Sequence, residues 1–292
     1  MNIAVCIKPV PDVSVVTLDP DTGLINSDDL VYIINPYDTV ALEEAVQIKE
    51  RFSNSRITLV SVAPPEAKRL LHQCLALGAD EAVLIRDTDF ENTDSYATGV
   101  ILAKYLASGQ YDLILCGHKA IDTEAGQTGS VIAEKLGIPL ASRVVKINIA
   151  PDAGKADVES KLEKGNRAQM EILLPAVFTV ELDINEPRYA SLPSLMAGLR
   201  KEIIECGRET LGLSLSEADS RTETVAFSLP KPRPKKIFTP DSQLSAEERL
   251  RLVISGGVTQ KQSDVLEGSA SSIAKTVVQF LNEKKFIATE QE

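Results

Sequence analysis

The alternation of apolar and polar positions divides most of the chain into short strands and longer helices. Short apolar, largely β-branched runs without strict alternation lie at residues 3–7, 57–62, 82–85 and 113–116. Such runs are typical of strands that are buried on both faces of a parallel sheet. We therefore expect a parallel sheet, to which a further short run at 31–34 adds a candidate strand.

Helical spacing separates these runs. Apolar residues recur every three to four positions from 40 to 48, which predicts a helix capped by Asp38, with Glu43 and Glu44 facing water. Similar spacing predicts helices over 66–77 and 93–106, with Gly78 and Gly109 as left-handed caps. Strands that alternate with helices predict a doubly wound α/β fold with a mostly parallel sheet over about residues 1–190.

The next part of the chain alternates less clearly. Strands are predicted over 144–149 and 173–180, on either side of a polar stretch at 152–169 that we interpret as an exposed hairpin. Residues 185–193 interrupt regular structure, and a short helix is predicted over 194–201.

A change of composition marks the C-terminal part. We predict a nucleotide-binding domain over 1–205 and a C-terminal arm over 206–292, with an extended Pro- and Lys-rich connector at 230–234. Ser245 and Glu248 form a capping-box pattern at the start of a helix over 245–255, and another helix is predicted over 270–281. Because the arm has little apolar content of its own, we interpret it as packing on a partner; the alternative is an arm folded back on its own body.

Composition and charge exclude several classes of function. The chain has 292 residues, 43% of them hydrophobic and 25% charged, as expected of a soluble globular protein. No run approaches the ~20 apolar residues that cross a bilayer, and the first residues do not form a secretory signal, so we expect a cytoplasmic protein. The net charge of −11 argues against nucleic acid as a partner, although a local basic patch stays open. Four dispersed cysteines without a CxxC pair indicate reduced thiols, and the absence of Trp excludes a platform of stacked indoles.

Candidate ligand chemistry follows the ends of the predicted strands. In a doubly wound sheet, ligands bind beyond the carboxyl ends of the strands, where the strand order reverses. Loops beginning at residues 8, 35, 63 and 117 follow such ends. If their strands are neighbours, these loops converge on one crevice.

The stretch at 113–129, LILCGHKAIDTEAGQTG, is the strongest single signal. A strand, a loop of small and polar residues and a helix N-terminus follow one another there. Unpaired N–H groups in a first helical turn and the helix dipole favour phosphate, and glycines allow a close approach of the backbone. This predicts a phosphate position at Gly126, Gln127, Thr128 and Gly129; the alternative is an ordinary connection with Thr128 as an N-cap.

Motifs for other chemistry are absent from the sequence. It has no GxGxxG after the first strand, no GxxxxGK[ST], no HExxH and no GxSxG. With His72 and His118 as the only histidines, metal clusters and Ser–His hydrolysis are poorly supported, and we expect no catalytic or metal-ligating residue. His72 is interpreted as a surface or boundary residue, and His118 as a solvated loop residue, with ligand contact as the alternative for His118. The carboxylates of Asp122 and Glu124 could serve as acid and base, but nothing in the sequence places them beside an activatable nucleophile. Asp122 is therefore interpreted as a residue that orients the loop.

Four motifs in order resemble one family. GHKAIDTEAGQTG at 117–129, NPYDTVALEEA at 35–45, ALGADEAVLI at 76–85 and NEPRYASLPSLM at 185–196 are similar to the beta subunit of electron-transfer flavoprotein. The resemblance covers about residues 1–205. It implies an adenine-nucleotide alpha-hydrolase-like fold and an alpha subunit as partner, with FAD at the interface held mainly by that subunit. It also implies one AMP bound by this chain.

The family carries electrons from acyl-CoA dehydrogenase-type donors through FAD to a downstream acceptor, and a membrane quinone oxidoreductase is one acceptor that the resemblance allows. The beta subunit does no bond-making chemistry. Motif matching carries the AMP-binding positions over to Cys6, Asn35, Pro36, Tyr37, Asp38, Val62, Gly117, His118, Lys119, Ala120, Ile121, Asp122, Gly126, Gln127, Thr128 and Gly129.

A recognition loop over about 180–202 is a second implication. In the family, a leucine before a proline inserts into a hydrophobic pocket on the dehydrogenase, which assigns that role here to Leu192 and Pro193, with Tyr189 and Met196 on the same surface. The alternative is a leucine buried in a turn. Better-known members follow the anchor with a run of lysines, whereas residues 197–201 do not, so the identity of the dehydrogenase stays open.

Two other functions stay open. Bifurcating relatives hold a second FAD, reduced by NADH, in place of AMP, and the segment 18–23 and the long tail are features of such relatives. Thr128 favours AMP, because a threonine hydroxyl donates to a phosphate and the valine of bifurcating members does not. The third function, from the loop chemistry alone, is a stand-alone adenine-nucleotide-binding sensor.

Overall fold

The computed structural model describes residues 1–12, 14–17, 19, 25, 30–90, 93–150, 154–225, 240–241, 243–254, 268–283 and 286. The chain divides into two compact units, Met1–Leu229 and Pro230–Glu292. The connector predicted at 230–234 lies outside the described residues, as does all of 18–23 except Asp19.

The first unit contains eleven strands and six α-helices among its described residues. The strands are β1 (Asn2–Cys6), β2 (Pro9–Pro11), β3 (Tyr32–Ile34), β4 (Arg56–Val62), β5 (Glu81–Ile85), β6 (Leu113–Gly117), β7 (Leu140–Ala150), β8 (Lys155–Lys161), β9 (Arg167–Leu173), β10 (Ala176–Val180) and β11 (Ile203–Cys206). The helices are α1 (Pro36–Arg51), α2 (Lys68–Ala76), α3 (Ser95–Leu106), α4 (Thr128–Leu136), α5 (Leu192–Gly198) and α6 (Arg208–Leu211).

A nine-stranded sheet organises this unit, in the order β11-β5-β4-β1-β6-β10-β7-β8-β9. Pairing is parallel from β11 to β7, and β8 and β9 add an antiparallel edge. The chain runs outward from β1 through β4 to β5 and then returns to β6 on the other side of β1. The strand order therefore reverses between β1 and β6, which is the place where ligands bind in such sheets.

Both faces of the sheet are covered, as the apolar runs predicted. Ile3 and Val5 of β1 pack in the core with α1 and α2, whereas Ala4 and Cys6 pack in a second core with α3 and α4. Successive side chains of a strand point to opposite faces, so a strand with two covered faces is apolar at every position. The prediction of a doubly wound α/β fold with a mostly parallel sheet is confirmed.

Two predicted strand details are wrong. The run at 31–34 does not join the main sheet, because β3 pairs antiparallel with β2 in a separate two-stranded sheet. The hairpin predicted at 152–169 is confirmed, since β8 and β9 pair antiparallel there, but it is not fully exposed, because alternate side chains of both strands pack on the sheet core. The strand predicted over 173–180 is divided into β9 and β10 at Leu174 and Pro175.

Helix α1 corrects the roles predicted for three acidic residues. The helix begins at Pro36 with Asn35 as the N-cap, and Asp38 lies in its first turn with a buried side chain. Glu43 and Glu44 are also buried, with relative exposures of 6% and 4%. The spacing placed them on the outer face of a surface helix, but later chain segments pack over that face.

The glycine caps were also assigned to wrong positions. Gly78 has φ 130°, outside the left-handed helical region, and Gly109 has no positive φ. The left-handed glycines that end helices are Gly137 after α4 and Gly212 after α6, with φ 65° and 59°.

Residues 206–225, which we predicted as the start of the arm, belong to the first unit. Cys206 and Leu213 are buried in its second core. The carboxylate of Asp94, which caps α3, accepts hydrogen bonds from the backbone amides of Arg221 and Thr222 at 2.7 and 2.9 Å. The division between the units lies at Leu229, not at residue 205.

The described part of the second unit contains two helices, α7 (Ala246–Ile254) and α8 (Ala270–Glu283). The predicted capping box is confirmed, because the Ser245 amide donates to Glu248 at 3.0 Å and the Glu248 amide donates to the Ser245 hydroxyl at 3.3 Å. Neither helix has a buried residue. Among the described residues of the whole chain, no helix has the length and apolar character of a bilayer span.

Candidate nucleotide-binding cleft

A cleft of ≈ 990 Å³ opens at the carboxyl edge of the main sheet, over the point where the strand order reverses. Its walls are the loops that follow β1, β4, β5 and β6, together with the first turns of α3 and α4. The predicted nucleotide-binding residues that line it are Cys6, Asn35, Asp38, Val62, Gly117, His118, Lys119, Ala120, Gly126, Gln127 and Thr128. The structure therefore brings most of the predicted positions together.

Five predicted positions do not line the cleft. They are Pro36, Tyr37, Ile121, Asp122 and Gly129. Pro36 and Tyr37 belong to the first turn of α1, whose buried side holds the loop after β6. Asp122 forms an ion pair with Lys8 at 2.6 Å, which agrees with its interpretation as a residue that orients the loop.

Asn35 and Asp38 tie three loops together. The Asn35 amide group donates to Asp38 and to the carbonyl of Lys119, both at 3.0 Å. Asp38 also accepts from the backbone amides of Lys8 at 2.7 Å and Gly117 at 3.1 Å. The NPYD motif thus joins the loops after β1, β3 and β6 through the buried Asn35 and Asp38, which makes the cleft a preformed site.

Gly117 allows this close approach. A Cβ atom at Gly117 would lie 2.3 Å from a carboxylate oxygen of Asp38 and 2.6 Å from the Cβ of Tyr37. Neither contact is compatible with a side chain, because α1 and the loop would have to separate. The glycine that the sequence analysis placed at the end of the strand is therefore required by packing.

The loop between β6 and α4 is held by its own contacts. Lys119 pairs with Glu124 at 2.6 Å, and Glu124 itself adopts a left-handed conformation with φ 51°. Gly126 follows with φ 62°, a conformation that glycine adopts without strain. These two left-handed residues turn the chain back into the N-terminus of α4.

The N-terminus of α4 has the features that a phosphate site requires. Its N-cap is Gln127, and no side chain accepts a hydrogen bond from the first-turn amides, so the alternative of Thr128 as an N-cap is wrong. Instead, the Thr128 hydroxyl donates to the Ser95 carbonyl at 3.5 Å, which is at the limit of a hydrogen bond. First-turn amides without a capping side chain are available to an anion, and the helix dipole favours its negative charge.

Glycines seat this helix close to its neighbours. A Cβ atom at Gly129 would lie 2.4 Å from Thr179 of β10, and one at Gly99 of α3 would lie 2.7 Å from Val131 of α4. The N-terminus of α4 therefore approaches the carboxyl end of the sheet more closely than a helix with larger residues.

Burial changes the ionisation of two groups beside the cleft. Burial raises the pKa of Asp38 to about 7, against the hydrogen bonds from Lys8, Asn35 and Gly117 that favour its charged form. Partial burial lowers the pKa of His118, against the attraction of Glu181 and with the help of Arg143 and Lys119. A neutral His118 is a half-buried wall of the cleft, not the solvated loop residue that we predicted.

The far half of the cleft was not predicted from the sequence. Its lining continues along the end of β5 and the start of α3, through Arg86, Asp87, Thr88, Phe90, Thr93, Asp94, Ser95, Thr98 and Thr222. The strand-end rule applied to the run at 82–85 identifies Arg86 to Thr88, but it does not identify Thr222, which only the folded chain brings there.

The predicted docking residues lie on the surface. Tyr189 is 99% exposed, Leu192 72% and Met196 49%, and Pro193 is also exposed. The alternative of a buried turn leucine at position 192 is therefore wrong, whereas docking itself stays a prediction. Among the described residues, no group of three or more His, Cys, Asp or Glu side chains is arranged to hold a metal ion.

The comparison with known families agrees with this architecture. Residues 22–209 match the electron transfer flavoprotein domain. The chain belongs to the electron transfer flavoprotein family. Within it, several of the similar proteins are named beta subunits, as the four motifs implied, and an electron-transfer role follows from this membership.

Three relatives illustrate the range of that similarity. The electron transfer flavoprotein subunit beta of Thermoanaerobacterium thermosaccharolyticum is 39% identical over 82% of this chain and 92% of its own length. The caffeyl-CoA reductase-Etf complex subunit CarD of Acetobacterium woodii is 37% identical over 73% of this chain and 81% of its own length. The beta subunit of Megasphaera elsdenii is 36% identical over 90% of this chain and 93% of its own length.

Proposed function

We propose that this chain is the beta subunit of a heterodimeric electron carrier and binds AMP in the cleft. The observation that carries the proposal is the convergence of three loops on the uncapped N-terminus of α4, joined by Asn35 and Asp38. An adenylate fits this chemistry, because its phosphate matches the first-turn amides of α4.

The redox cofactor of this assembly is FAD, which accepts and gives up electrons when bound, and we assign most of its contacts to an alpha subunit. This chain supplies a rigid body and two surfaces. We propose that the exposed apolar residues around Leu192 dock on an acyl-CoA dehydrogenase-type donor, and that the arm packs on the alpha subunit. Exposed apolar anchors of this kind dominate the energetics of interfaces. A downstream acceptor, such as a membrane quinone oxidoreductase, completes the transfer.

Cofactor extraction tests the proposal. The chain purified with its alpha subunit is expected to release one FAD and one AMP per heterodimer. A complex without flavin absorbance would contradict the electron-carrier role, and a stable nucleotide-binding monomer or homodimer would support the sensor instead.

The size of the cleft favours one second candidate. Its lining extends from the α4 N-terminus to Arg86, Thr88 and Phe90, beyond the positions assigned to AMP, and its volume lies at the upper end for ligand pockets. A bifurcating subunit with its own FAD, reduced by NADH, would use that extra length. Two FAD and no AMP per heterodimer would establish this candidate.

The substitution Thr128→Val tests the position of the phosphate. Valine removes a hydroxyl donor at the α4 N-terminus, and a charge-assisted hydrogen bond contributes about 1.5–3 kcal/mol. We therefore expect AMP affinity, measured by titration calorimetry, to fall by about tenfold or more. The melting temperature without nucleotide should change little, because the Thr128 hydroxyl makes only the 3.5 Å contact with Ser95.

Thr88→Val is the matched control, since Thr88 lines the far half of the same cleft. The affinity of this variant for AMP should equal that of the unmodified chain. Equal losses in both variants would point to a ligand that spans the cleft, and unchanged binding in Thr128→Val would contradict the phosphate assignment.

A further inference from the structure

Two of the four cysteines face each other where the strand order reverses. Parallel pairing matches Ile3 with Leu113 and Val5 with Leu115, which sets Cys6 at the end of β1 opposite Cys116 in β6. Residues in register on neighbouring parallel strands direct their side chains to the same face. Both side chains belong to the core that α3 and α4 cover.

The two thiols are free and reach the cleft. Neither forms a disulfide, and both line the floor of the cleft. The neighbouring Cys6 thiol and burial raise the pKa of Cys116 well above its ordinary value, which keeps the Cys116 thiol protonated at neutral pH. Cys74 and Cys206 are also buried but do not line the cleft.

We propose that Cys6 and Cys116 form a two-thiol binding site for soft electrophiles that take two sulfur ligands, represented by a monosubstituted trivalent arsenical, R–As(OH)₂. Two As–S bonds form and two As–O bonds break. Each hydroxyl leaves as water with one thiol proton, and arsenic stays trivalent, so the step needs no oxidant. Soft sulfur donors prefer soft acceptors, and two preplaced thiols bind with less loss of entropy than two separate ones.

The site lies directly beneath the N-terminus of α4. A Cβ atom at Gly129 would lie 3.7 Å from the Cβ of Cys116, an ordinary van der Waals distance, so the first turn of α4 packs over Cys116. A group bound to both sulfurs therefore occupies the floor of the cleft. Its competition with AMP rests on the proposed function, whereas the two-thiol site itself does not.

Phenylarsine oxide tests the site on the full chain purified with its partner. The folded protein is incubated with the reagent in excess monothiol, which removes arsenic held by one sulfur, and intact mass spectrometry then counts the groups retained. We expect one group per chain, released by 2,3-dimercaptopropanol, and peptide mapping should join the Cys6 and Cys116 peptides. Cys6→Ala and Cys116→Ala should each lose it, while Cys74→Ala, the control, should keep it.

Three results would overturn the site: retention by either cleft variant, loss in Cys74→Ala, or loading of the unmodified chain only after denaturation. Peptide mapping is done on the unmodified chain, so it still tests whether Cys6 and Cys116 hold the group if Cys116→Ala does not fold. AMP added beforehand should slow loading at least severalfold, which would support a site within the cleft. If loading needs both cysteines but its rate does not change with AMP, the result would contradict the nucleotide proposal and support the two-thiol site.

Discussion

Single residues in the cleft make structural hydrogen bonds that limit their ability to contact a ligand. Asp38 accepts three hydrogen bonds, from Lys8, Asn35 and Gly117, and so holds the loops in place without presenting a free carboxylate. Its burial is costly for the charged form, which is why its pKa rises to about 7. The residue therefore links the stability of the site to pH.

The sign of that linkage gives a prediction. Asp38 ionises near 3.8 in the unfolded chain and near 7 in the folded chain, so between these values only the unfolded state gives up its proton. The stabilising contribution is complete below about pH 4 and is lost as the pH rises to about 7. Asp38→Asn should remove this dependence and also cost about 1–3 kcal/mol, because an amide cannot accept all three hydrogen bonds.

Denaturant unfolding of both proteins between about pH 4.5 and 7.5 measures the effect. The free energy of unfolding should fall more steeply with pH in the unmodified chain than in Asp38→Asn. Glu44, whose pKa burial also raises, contributes the same slope to both proteins. Asp12→Asn is the control, since Asp12 titrates below this range; parallel profiles for the unmodified chain and Asp38→Asn would contradict the assignment.

At the scale of elements, α1 joins the cleft to the segment that we propose for docking. Its first turn contacts the loop after β6, and its outer face binds Asn185 and Arg188. Arg188 forms ion pairs with Glu43 at 2.9 Å and with Glu50 at 2.5 Å, and Asn185 donates to the carbonyl of Val40 at 3.0 Å. Burial opposes ionisation of Glu43, but the hydrogen bonds from Arg188 outweigh it and keep the pKa of Glu43 below its usual range.

These contacts explain what could and could not be predicted from the sequence. Strands β1, β4, β5 and β6 were predictable, because a strand covered on both faces is apolar throughout. The burial of Glu43 and Glu44 was not, since their partners Arg188 and Asn185 lie about 140 residues away in sequence. The glycines and the NPYD motif located the near half of the cleft, whereas Thr222 joins its wall only through long-range contacts with Asp94.

Arg188→Lys tests whether α1 positions the docking residues. Lysine keeps the charge but cannot make the paired hydrogen bonds that the Arg188 guanidinium makes with Glu43 and Glu50. We expect the KM of the dehydrogenase for this protein to rise severalfold, with unchanged kcat and unchanged AMP and FAD content. Leu192→Ala should have a similar effect, and the double variant should be less than additive if both act on one surface.

Lys49→Arg is the matched control for that experiment, since Lys49 lies on the same helix and binds Asp80 and the Gly78 carbonyl, between α2 and β5. An equal rise in KM in this control would indicate a general weakening of α1. Unchanged KM in Arg188→Lys would show that the docking residues do not depend on the ion pairs.

At the scale of the whole molecule, the two units differ in how they bury apolar surface. Every buried apolar residue of the described chain lies in the first unit. The second unit exposes apolar residues at helical spacing instead, with Leu250, Val253 and Ile254 on α7 and Val277 and Phe280 on α8. Apolar faces of this kind are typical of surfaces that pack on another chain.

Charged substitutions on these faces separate a partner-bound arm from an arm that folds back. Burial of a valine side chain at the interface contributes about 1.5–3 kcal/mol. Val253→Glu and Val277→Glu each remove this contribution and place an unpaired charge in the interface, so we expect the dissociation constant of the heterodimer to rise at least tenfold. Analytical ultracentrifugation with the alpha subunit measures this, and Lys275→Glu on the opposite face of α8 is the control. The melting temperature of the chain without its partner should not change; if it falls in the valine variants while assembly stays intact, the arm packs on its own first unit.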